Sequence, residues 1–334
     1  MLSTRSVSEV LTVIKQKYIA QLPLIFTILG LIGFIGNLFT FLQPALRKNS
    51  FCIYTLLSSC IDIINLFANL FPLYLTPTSG SLTVAVSSSL SCKLRIMGLV
   101  ALPQLSLNLL MMSLLDRYAC TLGPVSRIRR LLHLKMVPWT VTATVVVSCV
   151  MSLYAALLND IVPGFGCTST NATLNAIVYI GLHGILTPCV MLILTLLTYR
   201  NVSKSRERVG VITTKVTVRN GNRFRNQFIA TVFVQVFVSS FFVLQWIVMY
   251  WYFSVTLYDN RTAEQWSTVY FLLSLTNSLY YVVNVKSFYL STLTSRLFRE
   301  TLIGGVVKLL PGHVYRRWNR NNLTVTNTVV RFTK

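Results

Sequence analysis

Seven long apolar blocks are the feature of this sequence that most restricts its fold. An α-helix rises 1.5 Å per residue, so roughly 20 apolar residues are needed to cross about 30 Å of hydrocarbon. Every block reaches that length, whereas a membrane β-barrel would show shorter segments that alternate in polarity. Only 11% of the 334 residues are charged and 54% are hydrophobic, which leaves too few charges to cover a water-soluble domain of this size.

We therefore predict an all-α integral membrane protein, a seven-transmembrane-helix bundle that forms one domain over residues 19–293. Residues 1–18 precede the bundle, and residues 294–334 follow it as a short amphipathic helix and a basic tail. The predicted spans, numbered one to seven, are Ile19–Leu42, Phe51–Leu75, Cys92–Cys120, Met136–Leu158, Leu174–Tyr199, Phe228–Phe253 and Trp266–Leu293.

The basic residues indicate the orientation. Thirty Lys and Arg against eight Asp and Glu give a net charge of +22, and most of the basic residues follow spans one, three, five and seven. By the positive-inside rule, this places the N-terminus outside the cell and the C-terminus in the cytoplasm of a multi-pass plasma-membrane protein. The charge also favours contact with anionic membrane lipid. Nucleic acid is not an expected partner, because the basic residues follow loop parity and do not line one surface.

Two cysteines and two glycosylation sequons lie on the predicted extracellular side. Cys92 opens span three and Cys167 follows span four, so both can oxidise there to form a disulfide. The alternative is two free thiols. Asn171 and Asn260 each begin an Asn-x-Thr sequon and are predicted glycosylation sites.

Asp116-Arg117-Tyr118, at the inner end of span three, resembles the DRY triplet of rhodopsin-like (class A) G-protein-coupled receptors. Cys92 lies 117 − 92 = 25 positions before Arg117, which is the spacing of that family's disulfide cysteine. Ser295–Arg299 resembles the start of the amphipathic helix that follows span seven in the family. Further single-residue matches are Gly36, Asn37, Asp62, Pro124, Trp139 and Pro188.

The resemblance implies a receptor that binds an extracellular ligand and activates a heterotrimeric G protein through a cavity at the inner ends of the spans. It implies that Asp116, Arg117 and Tyr118 take part in G-protein coupling, with Arg117 held by Asp116 at rest.

Leu99 stands where amine receptors carry Asp, and Tyr281 stands where opsins carry the retinal Lys. The general character is therefore nearer to peptide receptors, in a divergent orphan branch.

The sequence departs from the family in spans six and seven. Phe242–Trp246 replaces Cys-Trp-x-Pro without any proline, so a kink there loses its usual cause. Ser287–Ser291 replaces Asn-Pro-x-x-Tyr. Arg223 and Arg225 stand near the base of span six, where the family has an acid. The usual activation details therefore do not carry over directly.

A polar cluster within the spans could bind sodium. Asn37, Asp62, Ser106 and Asn284 match or neighbour positions that form a sodium-binding pocket in the family, and oxygen ligands suit a small hard cation. The alternative is a protonated Asp62 that only ties helices together. Lys286 counts against sodium, unless its side chain extends to the membrane interface. No other cofactor is expected.

The predicted ligand contacts are Arg95, Leu99, Trp246 and Tyr250. Arg95, with Lys93, either is a solvated charge at a helix end or attracts a ligand carboxylate. The aromatic run from Trp246 to Phe253 either lines the ligand cavity or forms an interfacial belt.

Two other classes of function fit the sequence less well. A secondary transporter is the alternative to a receptor, but it would normally show repeat symmetry and more than one intramembrane carboxylate. We do not expect an enzyme, because the sequence carries no catalytic motif and its three histidines, His133, His183 and His313, lie in separate regions.

Overall fold

Helices occupy most of the chain that the computed structural model describes, namely residues 7–44, 46–47, 49–79, 88–122, 134–162, 166–210, 216–257 and 259–309. Pro124, the basic residues from Arg127 to Arg130, and the tail beyond residue 309 lie outside the described residues. The α-helices are Val7–Lys17, Leu22–Phe41, Ser50–Asn65, Phe71–Ser79, Ser89–Thr121, Val137–Leu158, Ala172–Tyr179, Thr187–Gly210, Val216–Val255, Ala263–Tyr280, Val282–Thr294 and Arg296–Leu309. Short 3₁₀ turns cover Ile19–Gln21 and Leu134–Met136, and π-helical turns cover Leu66–Leu70 and Ile180–Leu186.

Local sequence explains where many helices begin. Asn49 precedes Ser50–Asn65 and accepts a hydrogen bond from the Phe51 amide, and Ser88 caps Ser89–Thr121 through the Ser91 amide. Thr262 and Gln265 form a reciprocal capping box. Such caps satisfy backbone amides that have no partner within the helix.

Six helical segments are long and apolar enough to cross a membrane. They correspond to predicted spans one to six and define a multi-pass helical membrane protein. Their bounds are Ser8–Phe41, Ser50–Leu75, Ser89–Thr121, Leu134–Leu158, Ala172–Ser203 and Ala230–Val255. Span six contains no proline, and its helix is unbroken from Val216 to Val255.

Predicted span seven differs from the other six, because its helix is interrupted. Helix Ala263–Tyr280 ends at a turn on Tyr281, and a second helix, Val282–Thr294, follows. We call these two helices together segment seven. Its first helix carries many polar residues, such as Glu264 and Asn277, which lower its hydropathy. Segment seven packs against spans one and six, but its crossing of the membrane remains a prediction.

The distribution of burial is opposite to that of a water-soluble protein. Large apolar side chains such as Val150, Leu196 and Phe237 point outward and are exposed, whereas Asn37 and Asp62 are buried between helices. In hydrocarbon an apolar exterior is favourable, and polar groups need partners inside the protein. This pattern supports the membrane assignment independently of the hydropathy of the spans.

Close packing at Gly36 joins span one to segment seven. A Cβ atom on Gly36 would overlap the Phe288 ring, so a larger residue would displace that ring. Phe288 packs in turn on Phe298 of helix Arg296–Leu309, at a ring-centroid distance of 5.9 Å.

Phe298 also contacts Phe41, and Arg299 Nη1 donates to the Thr292 and Leu293 carbonyls at the end of segment seven. The helix after segment seven is therefore fixed to the bundle.

A short hairpin covers the start of span three. Its strands, β1 (Asn159–Val162) and β2 (Gly166–Ser169), are antiparallel, with Ile161 opposite Cys167. Cys167 is joined to Cys92 by a disulfide, as the sequence predicts. We call this end of the bundle the disulfide end and the opposite end the Arg117 end.

An ion pair reinforces the hairpin. Lys93 Nζ lies 3.1 Å from Asp160 Oδ2. Hydrogen bonds from the Ser89 hydroxyl, the Ile161 amide and Lys93 lower the pKa of Asp160 to about 2. Since its folded pKa lies below the ordinary value, the contribution of Asp160 to stability is present at neutral pH and is lost as the pH falls toward 2.

We expect Cys92→Ser and Cys167→Ser each to reduce stability by about 2–4 kcal/mol, because each removes the same cross-link. The double variant should therefore be scarcely less stable than either single variant. Thermal unfolding of the purified protein in detergent measures this, with Cys149→Ser and Cys189→Ser as controls on exposed free thiols. Clearly additive losses would show that the two cysteines act independently.

Candidate functional site

A cavity of about 370 Å³ lies at the disulfide end, enclosed by spans two to six and segment seven. This volume is within the range of small-molecule binding sites. All four predicted ligand contacts, Arg95, Leu99, Trp246 and Tyr250, line the cavity. Ligand binding by them stays a prediction, but the structure brings them together around one space.

Aromatic side chains form one wall of the cavity. Trp246 stacks on Tyr250 at a centroid distance of 5.7 Å, and its Nε1 donates to the Tyr179 hydroxyl at 3.0 Å. Trp251 and Tyr252, by contrast, are 55% and 43% exposed. The aromatic run in span six therefore divides: one face lines the cavity, and the other face points outward, as in an interfacial belt.

The two basic residues near Cys92 also have different environments. Lys93 pairs with Asp160 in the hairpin, so its charge is already compensated. Arg95 lines the cavity and is the only formally charged residue among the described residues that do so. Of the two, Arg95 is thus the cation available to a ligand.

A hydrogen-bonded network of polar side chains borders the deep part of the cavity. His183 Nδ1 lies 2.6 Å from Gln104 Oε1. Gln104 Nε2 donates to Asn108 Oδ1 at 3.0 Å and to Thr187 Oγ1 at 3.1 Å, and Asn108 Nδ2 donates to Ser148 Oγ at 2.8 Å. The π-helical turn Ile180–Leu186 holds His183 in this position. Such turns often occur at functional sites.

The network fixes the roles of its atoms. Because Gln104 Nε2 donates to two acceptors, its Oε1 is the acceptor that faces His183. His183 Nδ1 is therefore the donor, and in the neutral ring Nε2 is an acceptor. Within the described structure, the buried His183 Nε2 and the buried Tyr154 hydroxyl have no hydrogen-bond partner. Both residues line the cavity.

The sequence interpretation did not identify Gln104, Tyr154 or His183 as site residues. The available signal was that Gln104 and His183 are polar residues inside apolar spans, and such residues are usually functional. Their pairing could not be read from the sequence, because they lie in different spans, 183 − 104 = 79 positions apart.

A second polar cluster surrounds Asp62 deeper in the bundle. Asp62 is only 5% exposed, and its Oδ1 accepts hydrogen bonds from Ser106 Oγ at 2.5 Å and Asn284 Nδ2 at 2.6 Å. Asp62 thereby joins span two to span three and segment seven. Asn37, the fourth predicted member, donates instead to Ser59 Oγ at 3.1 Å.

Lys286 does not extend to the membrane interface. Its side chain is buried, with 7% of the residue exposed, and its Nζ donates to the Val283 carbonyl at 2.6 Å. The ammonium group interacts electrostatically with the Asp62 carboxylate. Of the two sequence interpretations, the structure supports a buried lysine that acts on Asp62.

The residues around Asp62 fit this internal cation better than a sodium ion. Asn37 Oδ1 and Asn284 Oδ1 are buried acceptors without a partner in the described structure, which a cation could satisfy. However, a sodium ion would have to enter against the charge of Lys286.

At the Arg117 end, Asp116 and Arg117 form a compact cluster with the start of span two. Arg117 Nη2 lies 3.0 Å from Asp116 Oδ2 and donates to Asn49 Oδ1 at 2.6 Å. Ser50 Oγ donates to Asp116 Oδ1 at 2.5 Å, and the Arg117 guanidinium lies 4.5 Å from the Phe51 ring centroid. Asp116 is nearly fully buried. The sequence predicted the pair but not its partners in span two.

Tyr118, the last residue of the triplet, is half-buried, and its carbonyl accepts a hydrogen bond from Thr121 Oγ1 at 2.6 Å. Thr121 also accepts from Asn201 Nδ2 at 3.3 Å, which connects this turn to span five.

The predicted glycosylation sites are exposed in connections at the disulfide end. Asn171 caps helix Ala172–Tyr179 by accepting from the Leu174 amide at 3.0 Å. Asn260 lies between span six and segment seven. Glycosylation at both sites remains a prediction.

No protein-family model matches this sequence, and the search of curated proteins found no match.

We expect Asp62→Asn and Lys286→Met to be coupled. Removing one charge leaves the other buried without its counter-charge, which should cost roughly 3–5 kcal/mol. The double variant should lose clearly less stability than the sum of the two single variants. Thermal unfolding of the purified protein measures the coupling, and Lys135→Met, at an exposed lysine, is the control. Fully additive losses would show that the two charges do not stabilise each other.

Proposed function

We propose that this chain is a rhodopsin-like G-protein-coupled receptor that binds an extracellular ligand and activates a heterotrimeric G protein. The observation that carries the proposal is the arrangement on one helix, Ser89–Thr121. Its first half lines a cavity of ligand size, and its last turns hold the Asp116–Arg117 pair at the opposite end. A receptor needs such a ligand site and a separate coupling site on opposite sides of the membrane.

The proposed orientation places the disulfide end outside the cell and the Arg117 end in the cytoplasm of a plasma-membrane protein. The Cys92–Cys167 bond supports this, because disulfides persist in oxidising surroundings. The basic residues of the alternate connections support the same orientation. Segment seven is then the seventh crossing, and helix Arg296–Leu309 lies at the cytoplasmic surface in contact with lipid.

In the proposed mechanism, the described contacts correspond to the closed state of the receptor at rest. Arg117 is paired with Asp116 and bonded to Asn49, so its guanidinium is held within the bundle. Opening would release Arg117 toward the C-terminal segment of a G-protein α-subunit. An agonist acts by binding better to the open state and shifting this equilibrium.

A second set of contacts holds span six against segment seven near the Arg117 end. Gln235 is almost fully buried, and its Nε2 donates to the Ser287 carbonyl at 3.3 Å and to Ser291 Oγ at 3.1 Å. Thr231 Oγ1 and Thr294 Oγ1 are hydrogen-bonded at 2.7 Å. Ser287 and Ser291 occupy the positions of the Asn and Tyr that are missing from the family motif. In this receptor, outward movement of span six requires these bonds to break.

The transporter alternative has no specific support in the contacts of the described residues. A transporter would not stimulate nucleotide exchange on an added G protein, whereas the proposed receptor would. Exchange on purified heterotrimers therefore separates the two functions without knowledge of the ligand.

We expect Asp116→Asn to raise ligand-independent nucleotide exchange about fivefold, because loss of the ion pair weakens the closed state by roughly 1 kcal/mol. Adding Arg117→Ala to this variant should abolish the increase, because Arg117 supplies the contact with the G protein. The measurement is nucleotide exchange on a panel of Gα subunits with the chain in lipid nanodiscs. Arg296→Ala, at an exposed pair with Glu300, is the control. If the double variant, correctly folded, couples as well as Asp116→Asn, the proposed role of Arg117 is wrong.

We expect Gln235→Leu also to raise ligand-independent exchange, by up to about thirtyfold, because it removes two hydrogen bonds that each stabilise the closed state by about 1 kcal/mol. Gln245→Leu is a matched control: Gln245 lies in the same span and donates to the Thr276 carbonyl of segment seven, but nearer the disulfide end. A larger effect at Gln245 than at Gln235 would contradict opening at the Arg117 end.

A further inference from the structure

Two separate polar features at the cavity restrict the chemistry of its ligand, and this inference rests on the proposed ligand-binding function. The first feature is Arg95, which has no compensating carboxylate among the described residues that line the cavity. A guanidinium group pairs well with a planar carboxylate. Lys93, two positions away, is not equivalent, because Asp160 already neutralises it.

The second feature lies at the deep part of the cavity. His183 is 6% exposed, and its Nε2 is an acceptor without a partner in the described structure. The Tyr154 hydroxyl is also buried without a partner, and the two rings are adjacent, with centroids 5.9 Å apart. Unsatisfied buried polar groups are costly, so a group that bonds to both would be favoured. A hydroxyl does this, because it donates to Nε2 and accepts from the Tyr154 hydroxyl.

Much of the cavity wall is aromatic. Trp246, Tyr179, Tyr250 and Tyr280 surround the space, and Trp246 stacks on Tyr250. Flat rings pack well against such walls in offset or edge-to-face geometry. The ligand body between its polar ends is therefore expected to be an aromatic ring.

The geometry of span three sets the length of the ligand. Arg95 precedes Gln104 by 104 − 95 = 9 positions, and Gln104 contacts His183 directly. At 1.5 Å per residue, the Arg95 and Gln104 backbones are about 13.5 Å apart along the helix. Side chains at both ends shorten this gap, so a single ring with a short chain is sufficient to span it.

We propose that the cavity binds a hydroxyaryl carboxylate, with the carboxylate at Arg95 and the aromatic hydroxyl at His183 and Tyr154. Two sources share this chemistry. One is a free small acid, and the other is the C-terminal tyrosine of a peptide, whose carboxylate and phenol have similar spacing.

The test uses three probes with the purified full-length chain in nanodiscs, and isothermal titration calorimetry gives each Kd. The first probe, 3-(4-hydroxyphenyl)propanoate, carries both polar groups. The second, 3-phenylpropanoate, lacks the hydroxyl, and the third, 3-(4-hydroxyphenyl)propanamide, lacks the charge. We expect the Kd of the first probe to be about tenfold lower than that of the second probe. It should be at least about tenfold lower than that of the third probe.

Variants assign each preference to its residue. Arg95→Gln should remove the preference for the acid over the amide and keep the preference for the hydroxyl, while the matched control Lys93→Gln keeps both. Tyr154→Phe and His183→Phe should each reduce the preference for the hydroxyl. Tyr154→Phe keeps the test valid if loss of the His183–Gln104 bond prevents folding.

Several results would overturn the proposal. They are equal or absent binding of the three probes to the parent chain, an equal loss of acid preference in Lys93→Gln and Arg95→Gln, or an unchanged hydroxyl preference in Tyr154→Phe. The last result would mean that the ligand hydroxyl does not bond to Tyr154. N-acetylglycyl-L-tyrosine distinguishes the sources: tighter binding than the free acid indicates a peptide, and rejection indicates a small acid.

These measurements contain no G protein, so they fail separately from the proposed receptor function. Selective binding without any effect on nucleotide exchange would contradict the receptor and leave the ligand class standing. If Asp116→Asn and Arg117→Ala change nucleotide exchange as expected but the probes bind without selectivity, only the ligand class is contradicted.

Discussion

The arrangement of the bundle depends on the hydrogen bonds that the buried Asp62 carboxylate accepts from neighbouring helices. In hydrocarbon no water is available to solvate a polar group, so its partners must come from the protein. Ser106 and Asn284 bond directly to Asp62, and Lys286 supplies a compensating positive charge. Span two, span three and segment seven must therefore meet at one depth. This junction lies between the cavity at the disulfide end and the Asp116–Arg117 pair at the Arg117 end.

Span six connects the two ends of the proposed receptor in a different way. Trp246 faces the cavity, where it contacts Tyr179 and Tyr280. Gln235, on the same unbroken helix, bonds to segment seven near the Arg117 end. In the proposed receptor, a ligand that favours a new position of the Trp246 wall would act on the helix that carries Gln235. The proposed two-state element is the contact between span six and segment seven, whose equilibrium both ends would bias.

The positions at which the sequence departs from the rhodopsin-like receptor pattern make specific contacts in the structure. From the sequence, Ser287 and Ser291 are only replacements for the expected Asn and Tyr. In the structure, they are the acceptors that hold Gln235. Span six carries no acid at its base, and the contacts of Arg117 include Asp116 and Asn49, which caps the helix of span two. The sequence predicted the triplet because its letters are contiguous. It could not predict Asn49 or Gln235, because their partners are distant along the chain.

The sequence by itself determined six of the helical spans, their approximate bounds and the candidate disulfide cysteines. In a membrane each backbone amide must bond within its own segment, so local composition is enough to specify a helix. Only the tertiary structure decided which polar side chains meet. It showed that Lys286 is buried near Asp62, that His183 bonds to Gln104, and that Arg95 faces the cavity while Lys93 pairs with Asp160. These outcomes depend on the rotation and depth of each helix against its neighbours, which are set by packing across the whole bundle.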